Sequence, residues 1–189
     1  MFRRTELLTP RLRLRGWREE DLVPFARLNA DPEVMAHLGG PLARQESDMI
    51  IGRFLEKWLE EPAFGWWALE VRGDGGFIGF VGLNRPDFTA PPAPCVEIGW
   101  RLARDAWGQG YATEAARACL DHGFGTVGLD EILSFTVPSN TRSRAVMERI
   151  GMQRDAAGDF DHPLVKKENP LRRHLLYRIR RDDWQGADG

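Results

Sequence analysis

The sequence predicts a mixed α/β fold, with strands and helices alternating around a shared sheet. Three observations lead there. Apolar residues recur in turn at a spacing of two and at a spacing of three to four, the periods of strands and helices. The changes fall at short punctuation, most clearly Arg72-Gly73-Asp74-Gly75-Gly76 between two apolar runs. The 189 residues suffice for one domain, residues 1–189, with a sizeable core, so the alternation reads as layers of a single unit.

The elements follow in order. Leu12 and Leu14 alternate with Arg11, Arg13 and Arg15, a half-exposed first strand. Asp21 to Leu28 reads as a helix with Leu22, Phe25 and Leu28 on one side, and Leu42 to Glu60 as a longer one carrying Ile50, Phe54 and Trp58. Trp66 to Val71 and Phe77 to Leu83 form a hairpin. The four prolines between Pro86 and Pro94 mark a loop expected to be mobile. Cys95 to Leu102 is a strand, Glu131 to Val137 another, Asn140 to Ile150 a helix and Tyr177 to Arg181 a last strand. The polar stretch before it shows no readable period, and the last few residues are expected to be disordered.

Composition narrows the function. A net charge of −2 and a pI near 6.1 give no electrostatic footprint for nucleic acid or an anionic membrane. Cys95 and Cys119 lack metal-ligand or disulfide spacing, so no metal is expected. The opening MFRRTELLTPRLRLRG has no signal-peptide apolar run and no stretch is long enough to span a bilayer, which places the chain in the cytoplasm by expectation.

The chemistry concentrates in Arg104 to Leu120, RDAWGQGYATEAARACL. A loop with Gly108 and Gly110 runs directly into a helix of small residues. Glycine lets backbone approach a ligand closely, and a helix start offers unpaired N–H groups and a positive dipole end. Together they make a phosphate cradle. Ala112, Ala116, Cys119 and Gly123 lie on one face, suited to close packing on a sheet. Glu114, Arg117 and Asp121 lie opposite and are expected in solvent. A P-loop is excluded because Tyr111 and Ala112 stand where Lys and Ser or Thr belong. Thr113 likewise breaks the dinucleotide fingerprint.

Three further candidates carry reactive groups. Glu97, in CVEIGWRL, is a carboxylate in mid-strand beside Gly99, a candidate general base; otherwise it is a surface acid or a partner for Arg101. In VPSNTRSRAVMERIGM, Asn140 is a good N-cap and Gly151 a good terminator. Ser143 shares an apolar face there with Val146, Met147 and Ile150; an inward Ser also bonds readily to the preceding turn. His162, in Phe160-Asp161-His162-Pro163, is a candidate proton shuttle or a turn residue.

The glycine loop resembles the coenzyme A pyrophosphate loop of the GNAT N-acetyltransferases, pattern Q/R-x-x-G-x-G/A. Its W-G-x-G-Y-A-T-E-A run is similar to the branch containing the ribosomal-protein N-terminal acetyltransferases. VPSNTRSRAVMERIGM resembles that family's second motif. The resemblance implies a twisted mixed sheet of about seven strands flanked by helices and splayed at a central parallel pair. It implies acetyl-CoA as donor, a primary amine as acceptor (a protein N-terminus or a small molecule) and direct attack in a ternary complex. The loop residues Arg104, Trp107, Gly108, Gln109, Gly110, Tyr111 and Ala112 would bind coenzyme. Asp105 stands at the Q/R position, leaving Arg104 to supply the basic contact. Trp100 and Leu102 would offer backbone groups to the pantetheine arm, and Asn140, Ser143 and Met147 would line it. Met147 replaces the acid Tyr of many members, and Ser143 inherits that role in the similar branch. An N–H near Ile98 or Gly99 would bind the oxyanion. Asn29, Met35, His37, Trp66 and Trp67 would wall the acceptor site, with His162 nearby. The basic residues from Lys166 to Arg181 read as a solvated edge. A homodimer is compatible with the branch. Two other readings stay open: a non-catalytic acetyl-CoA-binding module, and a transferase using a nucleotide.

Overall fold

A computed structural model describes residues 5–61, 63–73 and 75–186. Eight strands form one sheet in the order β1-β2-β3-β4-β5-β6-β8-β7. They are β1 (Leu7–Leu8), β2 (Leu12–Arg15), β3 (Gly65–Val71), β4 (Phe77–Asn84), β5 (Glu97–Leu102), β6 (Glu131–Thr136), β7 (Gln153–Asp161) and β8 (Arg173–Arg180). Every neighbouring pair is antiparallel except β5 and β6. The helices are α1 (Leu22–Ala30), α2 (Arg44–Glu60), α3 (Tyr111–Asp121) and α4 (Thr141–Arg149).

The mixed α/β class therefore stands, with one strand more than the seven expected. The unread polar stretch contains β7, which pairs only with β8. Its residues QRDAAGDFD are largely exposed, so an edge strand solvated on both faces leaves no apolar alternation to read. The ends expected to be disordered lie, from residue 187, outside the described residues.

Two larger apolar clusters flank the sheet, with a third around Leu133, Phe160 and Leu176. On one face Phe25 of α1 and Ile51 of α2 pack with Phe80, joined by Phe54 and Trp66. On the other, Ala115, Ala116, Cys119 and Leu120 of α3 and Val146, Met147 and Ile150 of α4 pack on Leu83, Ile98, Ile132 and Tyr177. The small face of α3 does what its composition demands: a Cβ on the neighbouring Gly123 would sit 2.8 Å from Ile132. That packing aims the start of α3 at the sheet's open seam.

Two expectations about exposure fail for the same reason, a polar side chain finding a partner. Arg15 is buried rather than half exposed; its guanidinium takes Asp21 at 2.7 and 2.9 Å and Glu70 at 2.5 Å. The outer side of α3 is likewise half covered rather than fully solvated. Glu114 accepts from the Thr9 hydroxyl at 2.6 Å and the Arg11 backbone at 2.9 Å, Asp121 accepts from the Trp184 indole at 2.8 Å, and Arg117 reaches the Arg149 carbonyl.

Candidate active site

The parallel pair β5–β6 is joined at one register point, Glu97 opposite Leu133. There the Leu133 N–H donates to the Val96 carbonyl at 2.9 Å, and ladder geometry gives the Ile98 N–H to the Leu133 carbonyl. One step further the Ile98 carbonyl takes the buried Ser134 hydroxyl at 2.9 Å. A side chain thus bridges a gap that backbone no longer spans, and the strands part. By strand alternation the backbone N–H and C=O of Trp100 point into the opening, as the resemblance implied. Leu102 differs, because its carbonyl already accepts the Trp107 indole N–H at 2.9 Å. An oxyanion donor at Ile98 or Gly99 is not free either: the first serves the parallel ladder, and Gly99 faces Gly82 across the antiparallel one. Trp100 offers the nearest N–H directed into the opening.

The opening leads to the glycine loop. Gly108 and Gly110 hold φ of 75° and 80°, the left-handed region that glycine enters without strain. Gly110 caps α3 without any side-chain hydrogen bond, so the first N–H groups of α3, from Tyr111 and Ala112, remain directed outward. The loop is braced from outside the ligand side. Arg11 donates to the Gln109 carbonyl at 2.8 Å, pairs with Glu114 at 2.6 Å and lies 4.8 Å over the Tyr111 ring. The Gln109 amide folds back to the Asp105 carbonyl at 2.9 Å. Arg104 is engaged by Glu33 and, at 3.5 Å, by Asp31, which compete with any phosphate for it. A further cation beside the loop is Arg142, stacked 4.3 Å over the Trp107 ring. Sequence reasoning missed it; its place in the first turn of the second motif was the available signal.

Two expected coenzyme contacts play structural parts. Asn140 caps α4, accepting from the Ser143 N–H at 3.2 Å and donating to the Thr136 hydroxyl at 3.0 Å, so most of its amide is consumed. Met147 is 1% exposed in the core. Ser143 is half buried at the start of α4, and its hydroxyl makes no hydrogen bond among the described residues; the bond to the preceding turn is not made.

Glu97 lies on the α1–α2 face, neither a surface acid nor an ion-pair partner of Arg101. Its carboxylate accepts from Asn84 at 2.9 Å. Lys57 of α2 fixes that amide by donating to its oxygen at 3.2 Å, and itself pairs with Asp87 at 2.6 Å. Burial lifts the Glu97 carboxyl to about 7, against the opposing hydrogen bond from Asn84 and charge of Lys57. Gly99, next on this face, leaves room for Trp66, whose ring would lie 3.0 Å from an added Cβ. Arg101 follows, donating to Asn29 at 2.5 Å.

The remaining acceptor candidates separate. Trp66 lines this face. Trp67 points to the other, buried against His122 with its indole on the Thr5 carbonyl at 3.0 Å. Met35 is core, 1% exposed. Asn29 is fully buried and ties α1 to Ser47 of α2 at 2.8 Å. His37 reaches across to the Ser139 hydroxyl at 3.3 Å. His162 packs with Phe88, Phe135, Phe160 and His174; burial and the neighbouring His174 hold it below the usual imidazole range, so it is neutral at pH 7. The basic residues of β8 pair with acids, Arg178 with Glu131 at 2.9 Å and Arg173 with Asp161 at 3.4 Å. A cleft of about 440 Å³ between the proline loop and β7 includes Pro91, Cys95, Glu131 and Arg178, at the opposite end of β5 from the glycine loop.

A sheet parted at one parallel pair, with a glycine-lined, uncapped helix start at the mouth, is the arrangement the resemblance implied for an acyl-coenzyme A transferase. Residues 11–153 match the family described as Acetyltransferase (GNAT) domain. The chain is 34% identical over 157 residues to the uncharacterized protein YkkB of Bacillus subtilis, covering 80% of this chain and 87% of that one. The acetyltransferase of Agrobacterium tumefaciens superposes with a TM-score of 0.74 at 31% identity, covering 95% and 96% of the two chains. Mycobacterium smegmatis RimJ, solved in complex with CoA-disulfide, gives 0.73 at 25%, covering 97% and 90%. The chain belongs to the GNAT acetyltransferases and is an acyl-CoA-dependent N-acetyltransferase. No helix among the described residues is long and apolar enough to cross a membrane.

Proposed function

We propose that this protein moves an acetyl group from acetyl-CoA to a primary amine by direct attack within a ternary complex. The observation that carries the reading is the uncapped α3 start behind two left-handed glycines, at the mouth of the parted strands. The residues present fit coenzyme A: loop and helix N–H groups for the diphosphate, Arg142 for its charge, and Trp100 backbone for the pantetheine amides. The CoA-disulfide in the RimJ structure supports the same occupant.

Glu97 then takes the proton of the incoming ammonium. A base titrating near 7 is half ionised at working pH yet basic enough to accept the proton, the compromise general base catalysis favours. The amine attacks the thioester carbon, the C–S bond breaks as the tetrahedral intermediate collapses, and the second proton shed by the nitrogen passes to the departing thiolate through Ser143 or water. The Trp100 N–H is suited to the developing negative charge on the carbonyl oxygen.

The test is release of free thiol from acetyl-CoA across a panel of small amines and N-terminal peptides. Amine-dependent release is expected with at least one acceptor class. Coenzyme binding without amine-dependent thiol would make the chain a binding module, and stabilisation by ATP or NAD in place of acetyl-CoA would point to a nucleotide.

A further inference from the structure

The Glu97 face carries a second charged group that no step above uses. Arg101 sits four residues along β5 from Glu97, about 13 Å away at the rise of a strand, with Gly99 and the overlying Trp66 ring between them. Its guanidinium has Asn29 as partner for one amino group and the Phe80 ring 5.2 Å away. No carboxylate of the described residues forms an ion pair with it, and its Nε is buried without a hydrogen-bond partner.

This arrangement is costly. A half-buried cation with its Nε shut from solvent and no counter-ion loses hydration that a ring and one amide oxygen do not replace. Burial alone pulls the group down to about 10, so it stays charged at neutral pH. Arg15 of β2, by contrast, is buried with two acids around it. The Asn29 bond uses Nη1, leaving the side-on edge of Nε–H and Nη2–H, the fork that a carboxylate matches with two parallel bonds.

Resting on the acetyl-transfer reading, we propose that Arg101 is a specificity residue that binds a carboxylate carried by the acceptor, so that the substrate is an amino acid-like molecule. The amine end lies at Glu97, the chain crosses the Trp66 indole, and the anionic end closes on Arg101. An acid at one end of the face and an uncompensated cation at the other complement a zwitterion. A polyamine would place positive charge against Arg101 and is disfavoured.

The test uses the full-length enzyme saturated with CoA, titrated calorimetrically with ω-amino acids of increasing chain length, the matching ω-amino carboxamides and the matching aminoalkylphosphonates. At least one carboxylate should bind about tenfold or more tightly than its carboxamide, as a charge-assisted pair in a dry site implies. Arg101→Gln should abolish that preference and leave acetyl-CoA affinity unchanged. Arg101→Lys, which keeps the charge without the fork, should retain only part of it and replaces the Gln variant should that one not fold. Equal binding of carboxylate and carboxamide throughout the series overturns the proposal, as does a preference that survives both variants. Phosphonates binding tighter than carboxylates overturn the carboxylate assignment. Loss of acetyl-CoA binding by the wild type is read separately and sinks the transfer reading beneath it.

Discussion

Glu97 shows how little of a residue's chemistry lies in its identity. Its place in β5 makes it face α1 and α2, and Asn84, held by Lys57, gives the carboxylate one fixed hydrogen bond. Desolvation of this half-buried side chain lifts its titration to about 7. A base must be ionised to act, so kcat/KM of the wild type should fall as pH drops below about 7. Glu97→Gln should lose that limb and about 10²–10⁴-fold in turnover; a pH–rate profile unchanged by the substitution removes Glu97 from the role. The stability sign runs the other way. A raised folded-state value means the protonated form is favoured by the fold, so stability is lost as pH rises through 7. The melting temperature of Glu97→Gln should therefore exceed that of wild type at pH 8, the gap closing below pH 4.5. Ser143 makes a narrower prediction. Its unbonded hydroxyl at the start of α4 should matter to thiolate departure and not to binding, so Ser143→Ala should lower kcat and leave acetyl-CoA affinity intact. An unaltered kcat assigns the proton to water.

At the scale of elements the seam between β5 and β6 is decisive. One ladder point and one side-chain bridge, Ser134 to the Ile98 carbonyl, mark where pairing ends and the opening begins. Ser134→Ala leaves that carbonyl without its hydroxyl partner in a buried setting, which costs about 1–3 kcal/mol. Urea unfolding with an unchanged m-value measures it, and a change under a few tenths of a kcal/mol would deny the bridge its part. Elements with a strong period were legible from the sequence: α1, α2, the β3–β4 hairpin, β5, α3 and α4. β7 was not, because an edge strand wetted on both sides needs no apolar alternation. The site was legible where backbone conformation dictates residue type, as at Gly108 and Gly110. It was illegible where long-range partners decide. Nothing near Arg104 in the sequence announces Asp31 and Glu33, and nothing near Arg15 announces Glu70. Trp67 was misplaced by a single step of strand alternation, which moves a side chain from one face of a sheet to the other.

For the whole molecule, the sheet divides labour between its faces. α3 and α4 pack densely on one and aim a helix start at the seam; α1 and α2 cover the other and enclose the acid, the indole and Arg101. Donor and acceptor would then approach the seam from different sides, the geometry that direct transfer in a ternary complex requires. The N-terminal strands join the two halves, since Arg11 and Thr9 grip the glycine loop through Gln109 and Glu114. Acetyl-CoA should accordingly stabilise the entire fold, by about 2.7 kcal/mol at a hundredfold excess over Kd.

The most direct measurement is a calorimetric titration of acetyl-CoA into the wild type and into Gly110→Val, which puts a branched side chain where φ is 80°. Saturable heat with the wild type and affinity at least about tenfold weaker in a variant that still melts cooperatively are the expected result. No heat with the wild type, or equal affinity in the two proteins, would contradict the placement of the coenzyme diphosphate at this loop.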